Sequence, residues 1–163
     1  MRYSWTRRTT AADVFDTNER TAAVIERAHE TATRLGSGFV DPTHLLLAIL
    51  NGENADAAHS ELLASLGTSA TELHASLERS ASSRRQPDAP PSGRLEYTSR
   101  ALNALRLAMA NARRRRDTGG GTPEDLLLAI LADEGSATWK ACARVGVTRE
   151  RVAAALERRM DGE

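Results

Sequence analysis

The hexapeptide Leu-Leu-Leu-Ala-Ile-Leu occurs twice in the chain, at Leu45–Leu50 and at Leu126–Leu131, each time at the same distance behind a proline, Pro42 or Pro123. The similarity extends on both sides. Downstream, Gly67-Thr-Ser-Ala-Thr-Glu-Leu-His-Ala-Ser-Leu-Glu-Arg matches Gly146-Val-Thr-Arg-Glu-Arg-Val-Ala-Ala-Ala-Leu-Glu-Arg. Upstream, Thr17 to Leu35 and Tyr97 to Arg115 share their apolar spacing. A tandem duplication of units of about 65 residues follows, each too small to bury a sizeable core alone, so the two are expected to pack together.

The residue types decide what each unit is made of. The chain of 163 residues holds 28 Ala and 19 Leu but only three Ile, six Val and six aromatic side chains. Ala and Leu lead the helix scale, whereas strands favour β-branched and aromatic residues, so the expected class is all-α. Each unit reads as four helices. In the first helix Ile25, Ala28, Ala32 and Leu35 recur at helical spacing, with Leu102, Leu105, Met109 and Ala112 as their expected counterparts. The second begins at Asp41-Pro42 or Thr122-Pro123, a capping side chain followed by proline at the first helical position. The third carries Ala55, Ala58, Leu62 and Leu66 and stops at Gly67, a left-handed cap repeated at Gly146. The fourth opens with the capping box Ser69-Ala-Thr-Glu72 and buries Leu73 and Leu77, matched by Val152 and Leu156. The expected layout is an N-terminal extension at 1–14, a repeat at 15–80, a Ser/Pro/Gly-rich linker at 81–94 and a second repeat at 95–160.

Charge and cysteine content narrow the function classes. Twenty-two basic and 22 acidic side chains cancel, so no global basic field draws the chain to nucleic acid or an anionic membrane. The single cysteine, Cys142, forms no internal disulfide, which fits a reducing cytoplasm. No apolar run has membrane-spanning length, and the start of the chain lacks the apolar stretch of a secretion signal.

The doubled pattern resembles the amino-terminal repeat domain of the Clp AAA+ unfoldases, especially ClpC and ClpA. The residues that carry the likeness are Ala28-His-Glu-Thr-Ala32-Thr-Arg-Leu-Gly36-Ser-Gly-Phe39-Val-Asp-Pro-Thr-His44-Leu-Leu-Leu, and it covers residues 15–160 or so. Unit two is degenerate, with Arg113–Arg116 and Gly119–Gly121 in place of the family's Leu-Gly-His-x-Tyr-Ile-Gly. The resemblance implies a pseudo-twofold bundle of eight helices that receives substrates and adaptor proteins without chemistry of its own. The nucleotide motor of a full unfoldase is absent from this sequence. Its phosphate loop needs glycines followed by Lys-Ser or Lys-Thr, and the only lysine, Lys140, sits between Trp139 and Ala141.

Other chemistry finds little support. His29, His44, His59 and His74 show no pair at the three- or four-residue spacing of helical metal ligands, so no metal or other cofactor is expected. His44 holds the family's motif histidine at the start of the second helix. Cys142 aligns with Leu63, a core-facing place, and has no histidine near it in sequence to activate it. Gly119-Gly-Gly121-Thr-Pro has neither the strand nor the lysine of a phosphate loop and reads as a connection between helices. Arg113–Arg116 suits the negative end of a helix dipole, with nucleic-acid binding as the alternative function.

The resemblance supplies two candidate surfaces. Some family members read phosphorylated arginine through the glutamate of a repeated Gly-Thr-Glu-His motif and a threonine near the start of a first helix. Here Thr43 replaces that glutamate in unit one, while unit two keeps Glu124 but has Asp125 for the histidine. At best one pocket survives, of Thr98 and Glu124 with Arg100 nearby; ordinary capping roles for the same residues are the favoured reading. The second surface is an apolar groove by the first helices, used in the family for adaptors and antibiotic cyclic peptides. Val14, Phe15, Tyr97 and Leu102 are its candidates, with a hydrophobic staple as the alternative. The expected function is a non-catalytic adaptor, competitor or sponge for peptides, degradation substrates, adaptors or cyclic peptides of a Clp protease system. The alternative of the same fold is the N-terminal part of a longer unfoldase.

Overall fold

In a computed structural model of the chain, residues 19–51, 57–82, 95–115 and 121–161 are described. The extension at 1–14, Val14, Phe15, the linker from residue 83 onward, Ala55, Arg116 and Gly119-Gly120 lie outside them, as do the side chains of Ala58 and His59. Eight helices form among the described residues: α1 (Glu19–Arg34), α2 (Pro42–Leu50), α3 (Ala57–Ser65), α4 (Ala70–Ser82), α5 (Ser99–Arg114), α6 (Pro123–Leu131), α7 (Ala137–Arg144) and α8 (Arg149–Asp161). The repeat is visible in their lengths: 16, 9, 9 and 13 residues in the first unit, 16, 9, 8 and 13 in the second. Two strands of two residues each, β1 (Phe39–Val40) and β2 (Glu96–Tyr97), add what composition did not announce. They pair in parallel across the units, Phe39 with Glu96 and Val40 with Tyr97.

The repeated hexapeptides occupy the centre. In α2 every residue from Pro42 to Ile49 is buried, and α6 buries all but Glu124 and Leu128. A helix apolar on nearly every side has to be enclosed, and the other helices lie around these two. Their starts are fixed by reciprocal caps. At α2 the Asp41 carboxylate accepts the Thr43 and His44 N–H groups, and His44 Nδ1 accepts the Asp41 N–H at 3.0 Å. At α6 the same box is built with the partners exchanged: Thr122 Oγ1 accepts the Asp125 N–H (3.2 Å), and Asp125 accepts the Thr122 N–H (2.9 Å). Gly67 and Gly146 take left-handed φ of 79° and 80° behind α3 and α7, as expected. At α4 only half of the expected box forms. Ser69 Oγ accepts the Glu72 N–H, while the Glu72 carboxylate takes the Thr68 hydroxyl instead.

The register of α5 departs from the expected one. Its buried residues are Ala101, Ala104, Leu105, Ala108 and Ala112, and Leu102 and Met109 are only partly buried. On α1 the buried set is Thr21, Val24, Ile25, Ala28, Thr31 and Ala32, which matches α5 at every position but Thr31, laid on partly buried Asn111, when Glu19 is laid on Ser99. The larger side chains were expected inside. Alanine goes there because small side chains let α5 lie close against α6 and α2.

The units interlock. Within them α1 packs on α2 and α5 on α6, and between them α1 meets α6, α2 meets α5, α3 meets α8 and α4 meets α7. Polar ties follow the same exchange. Thr21 Oγ1 donates to Gly121 O (2.8 Å), the Thr98 N–H donates to Val40 O (3.0 Å), and Ser76 Oγ donates to Ala141 O (2.9 Å). The entry of each unit's first helix thus docks on the segment that precedes the other unit's second helix.

Candidate functional site

Two ion pairs fix how α5 and α6 run. Arg100, in the first turn of α5, gives Nη1 to both carboxylate oxygens of Asp133, just past the end of α6, at 2.6 and 2.5 Å. At the opposite end Arg115, directly after α5, holds Asp125 in the first turn of α6, with Nη2 2.6 Å from Oδ2 and Nη1 on Oδ1. The helices are therefore antiparallel. Nine helical residues span about 13 Å, so Thr98 and Glu124 stand at opposite ends of the hairpin.

Thr98, Arg100 and Glu124 are thus not brought together. Thr98 is the N-cap of α5 and accepts the Ala101 N–H (3.2 Å). Arg100 is engaged by Asp133. Glu124 faces the other unit, where Arg20 approaches it to 3.6 Å with both side chains partly exposed. The pairing was assumed within a unit, and the interlocked fold makes it between units. The equivalent carboxylate position in unit one is closed: Thr43 is fully buried and shares a 2.7 Å hydrogen bond with Thr138 of α7.

Of the candidates for the apolar groove, Tyr97 and Leu102 are among the described residues. Tyr97 is 9% exposed, its ring edge-on to His29 at 5.1 Å between centroids and its hydroxyl 2.7 Å from His29 Nε2. It ties β2 to α1 instead of presenting an aromatic face. Burial lowers the His29 pKa below the ordinary imidazole value, so neutral imidazole is the form held there. Leu102 packs partly buried against the core. The largest exposed apolar side chain among the described residues is Phe39, at the start of β1.

An open groove does exist nearby, on a face that sequence reasoning missed except for Arg100. It measures about 500 Å³ and runs between α5 and α6 beside the start of α2. Pro42, Ala104, Leu107, Ala129 and Ile130 give it apolar walls, and Arg100, Asn103 and Asp133 supply its polar groups. A concave apolar site with a few convergent polar groups is the usual form of a binding surface. No sequence signal marks it, since it arises from the crossing of two helices and a cap of the other unit. A smaller depression of about 380 Å³, with Leu50, Thr71, His74 and Glu78 on its walls, lies between the end of α2 and α4.

The remaining candidates find ordinary places. Arg113 and Arg114 are exposed at the end of α5, while Arg115 is spent on Asp125. His44 is a cap, and His74 bonds the Asn51 amide (3.0 Å) and lies 3.8 Å from Glu78. Among the described residues no three His, Cys, Asp or Glu side chains gather as for a metal ion. Cys142 is fully buried, its thiol pushed up to about 12 by desolvation, which leaves no thiolate for nucleophilic work. Among the described residues no helix is long and apolar enough to cross a membrane.

Known structures share this architecture. A protein from a malarial protein secretion system aligns with a TM-score of 0.73 at 19% identity, over 88% of this chain and 93% of that one. The Hsp104 N-terminal domain of Candida albicans aligns at 0.72 and 17%, over 88% and 91%. The N-terminal domain of the caseinolytic-protease-associated chaperone ClpD of Arabidopsis thaliana aligns at 0.63 and 16%, over 93% and 99%. At these identities the likeness is one of fold. The family model of the Clp repeat (R) N-terminal domain matches residues 16–138, across both hexapeptides and the interlocked core. With three quarters of its length so matched, the chain belongs to the Clp repeat N-terminal domain family.

Proposed function

We propose that this chain is a non-catalytic, cytoplasmic binding module that receives peptides, unfolded protein substrates, adaptors or cyclic-peptide ligands of a Clp protease system. It would act there as adaptor, competitor or sponge. The observation that carries the reading is the α5–α6 groove: apolar walls with an Arg100–Asp133 pair at one end suit a peptide backbone flanked by an apolar side chain.

Two measurements test it. Binding of a fluorescein-labelled unfolded protein such as casein is followed by anisotropy for the wild type and for Asn103→Trp, which places an indole in the groove from an exposed position. A loss of tenfold or so in affinity is expected from blocking a groove of this kind, and equal affinities would refute the placement. Degradation of the same protein by a reconstituted Clp protease is then timed with the chain added. A slower rate marks a competitor or sponge and a faster one an adaptor, whereas no change at saturating amounts refutes the role.

A further inference from the structure

The neutral net charge conceals an unequal division. Residues 15–80 carry ten acidic and four basic side chains, and residues 95–160 carry eight and twelve. Part of the difference falls on the outward faces of the two helices that the pseudo-twofold axis exchanges. On α1 the positions 19, 23, 26, 30 and 33 fall on one stripe of the helix, and on α5 the corresponding positions are 99, 103, 106, 110 and 113. Glu19, Glu26 and Glu30 are exposed on the first stripe. On the second, Arg106 stands where α1 has Glu26 and Arg113 where it has Thr33, with Arg114 beside it, all exposed.

The bonding pattern sharpens this contrast. The basic residues of α1 are turned to other tasks: Arg20 to Glu124, Arg27 to the Ala48 carbonyl at 3.2 Å, and Arg34 to Glu78 at 3.8 Å. The α5 sequence contains no acidic residue, and its end arginines Arg100 and Arg115 are held by Asp133 and Asp125. What remains outward is an acidic stripe on α1 and a basic stripe on α5. Glu26, Glu30, Arg106, Arg113 and Arg114 have no ion-pair partner among the described residues. Between the charges sit small residues, Ala23 on one stripe and Ala110 on the other, which permit two helices to approach. The same inversion recurs elsewhere, where exposed Glu61 on α3 corresponds to exposed Lys140 on α7.

From this we infer that the α1 face of one copy of this chain docks on the α5 face of a second copy. The two faces are alike in shape, because the pseudo-symmetry makes them so, and opposite in charge. The contact is heterologous: each pair leaves one acidic and one basic face open, so association continues head to tail and depends on concentration. Resting on solvent-exposed charges, it is weak and salt-sensitive, since the Debye length shrinks from about 30 Å at 0.01 M to about 3 Å at 1 M salt. The two surfaces share Asn103, so the inference is tested through Glu26, Glu30, Arg106 and Arg113, which do not line the α5–α6 groove.

Sedimentation velocity over rising concentration, in roughly 20 mM and 500 mM sodium chloride, tests it. The expected result is a weight-average mass that grows with concentration at low salt, with an apparent association constant at least about tenfold lower at high salt. Glu26→Arg with Glu30→Arg makes both stripes basic, and Arg106→Glu with Arg113→Glu makes both acidic. Each variant alone is expected to stay monomeric, and their equimolar mixture to associate. The glutamine versions of the same pairs, which disturb the fold less, should weaken association without a mixing effect. The inference is overturned if the wild type remains monomeric at about 1 mM in low salt, if the reversed variants associate like the wild type, or if the mixture does not associate.

Discussion

Asp125 is where the second repeat departs most instructively from the first, and replacing it by asparagine isolates what a carboxylate does there. Its side chain is 2% exposed, and it accepts the Thr122 N–H, the Thr122 hydroxyl at 3.0 Å and both terminal nitrogens of Arg115. Asparagine keeps the size and one carbonyl oxygen, so the Thr122 N–H can still be met. It loses the charge and turns amide hydrogens toward a guanidinium. A hydrogen bond to a charged group contributes about 1.5–3 kcal/mol and a helix cap about 1 kcal/mol. Half of the Arg115 side chain is exposed, so water recovers part of the ion pair, and the net expectation is about 2 kcal/mol. For a domain of this size that lowers Tm by about 4–8 °C, read from circular dichroism at 222 nm at pH 7.

The pH dependence supplies a second arm. Burial alone would raise the Asp125 pKa, but the hydrogen bonds from Arg115 and from the Thr122 N–H and hydroxyl outweigh it and hold the carboxyl below its ordinary value of 3.8. A carboxyl depressed in the folded state adds stability that is complete above its unfolded pKa and is lost as pH falls through its folded one. The gap between wild type and Asp125→Asn is therefore constant from pH 7 to about 5 and closes below pH 3.8. In a cycle with Arg115→Gln the double variant is expected to cost about 1 kcal/mol less than the sum of the singles. A Tm change under about 1 °C at pH 7, or a gap that persists unchanged to pH 3, would refute the role given to the ion pair.

Two further tests concern the ties between units. With the His29 pKa lowered from 6.5 by burial, the unfolded chain takes up that proton first, so stability falls as pH drops below 6.5. His29→Gln is expected to flatten the fall in urea midpoint between pH 7.5 and 5.5, Tyr97→Phe to cost about 1 kcal/mol at neutral pH, and parallel pH profiles would contradict the first. Gly67→Ala and Gly146→Ala both force alanine into a left-handed φ, at about 1–2 kcal/mol, but a Cβ at Gly67 meets open space while one at Gly146 lies 2.7 Å from Arg151 Nη1. Swinging Arg151 away loses its bonds to Gly146 O (2.6 Å) and, across the units, Leu66 O (2.9 Å), so chemical denaturation should show Gly146→Ala about 0.5–1 kcal/mol the worse, and equal costs would remove that tie from the account.

What was legible in the sequence was whatever a short stretch of chain determines. Asp41-Pro42 and Thr122-Pro123 announce helix starts because the cap and the proline act within one turn, and both helices begin there. The doubled hexapeptide announces two enclosed helices because so apolar a segment has nowhere else to go. The register of α5 was misread because Ala and Leu fill that helix on several sides, and periodicity cannot tell a buried alanine such as Ala104 from a partly buried leucine such as Leu102. The residues of the candidate pocket lie apart for a different reason. Thr98 and Glu124 belong to one repeat, and nothing local to either residue states that each repeat's first helix docks on the other repeat. The His29–Tyr97 contact, 68 residues apart, is hidden for the same reason.

Interlocking also explains how one duplication yields two unlike surfaces. Because α1 docks on the start of α6 and α5 on the start of α2, the domain has two equivalent junctions, and each combines residues of both repeats. A substitution in either repeat therefore alters one junction and leaves the other intact. At one, Thr43 sits inside and bonds Thr138; at the other, Glu124 stays at the surface and meets Arg20. The backbone frame is held alike at both by buried alanine, leucine and reciprocal caps, so their chemistry is free to diverge without cost to the fold. The Glu124 junction offers a carboxylate paired with Arg20 across the units, and the other offers Asp133, already held by Arg100. Glutamate at position 43 would not add another at the surface, because Thr43 is fully buried and hydrogen-bonded to the Thr138 hydroxyl.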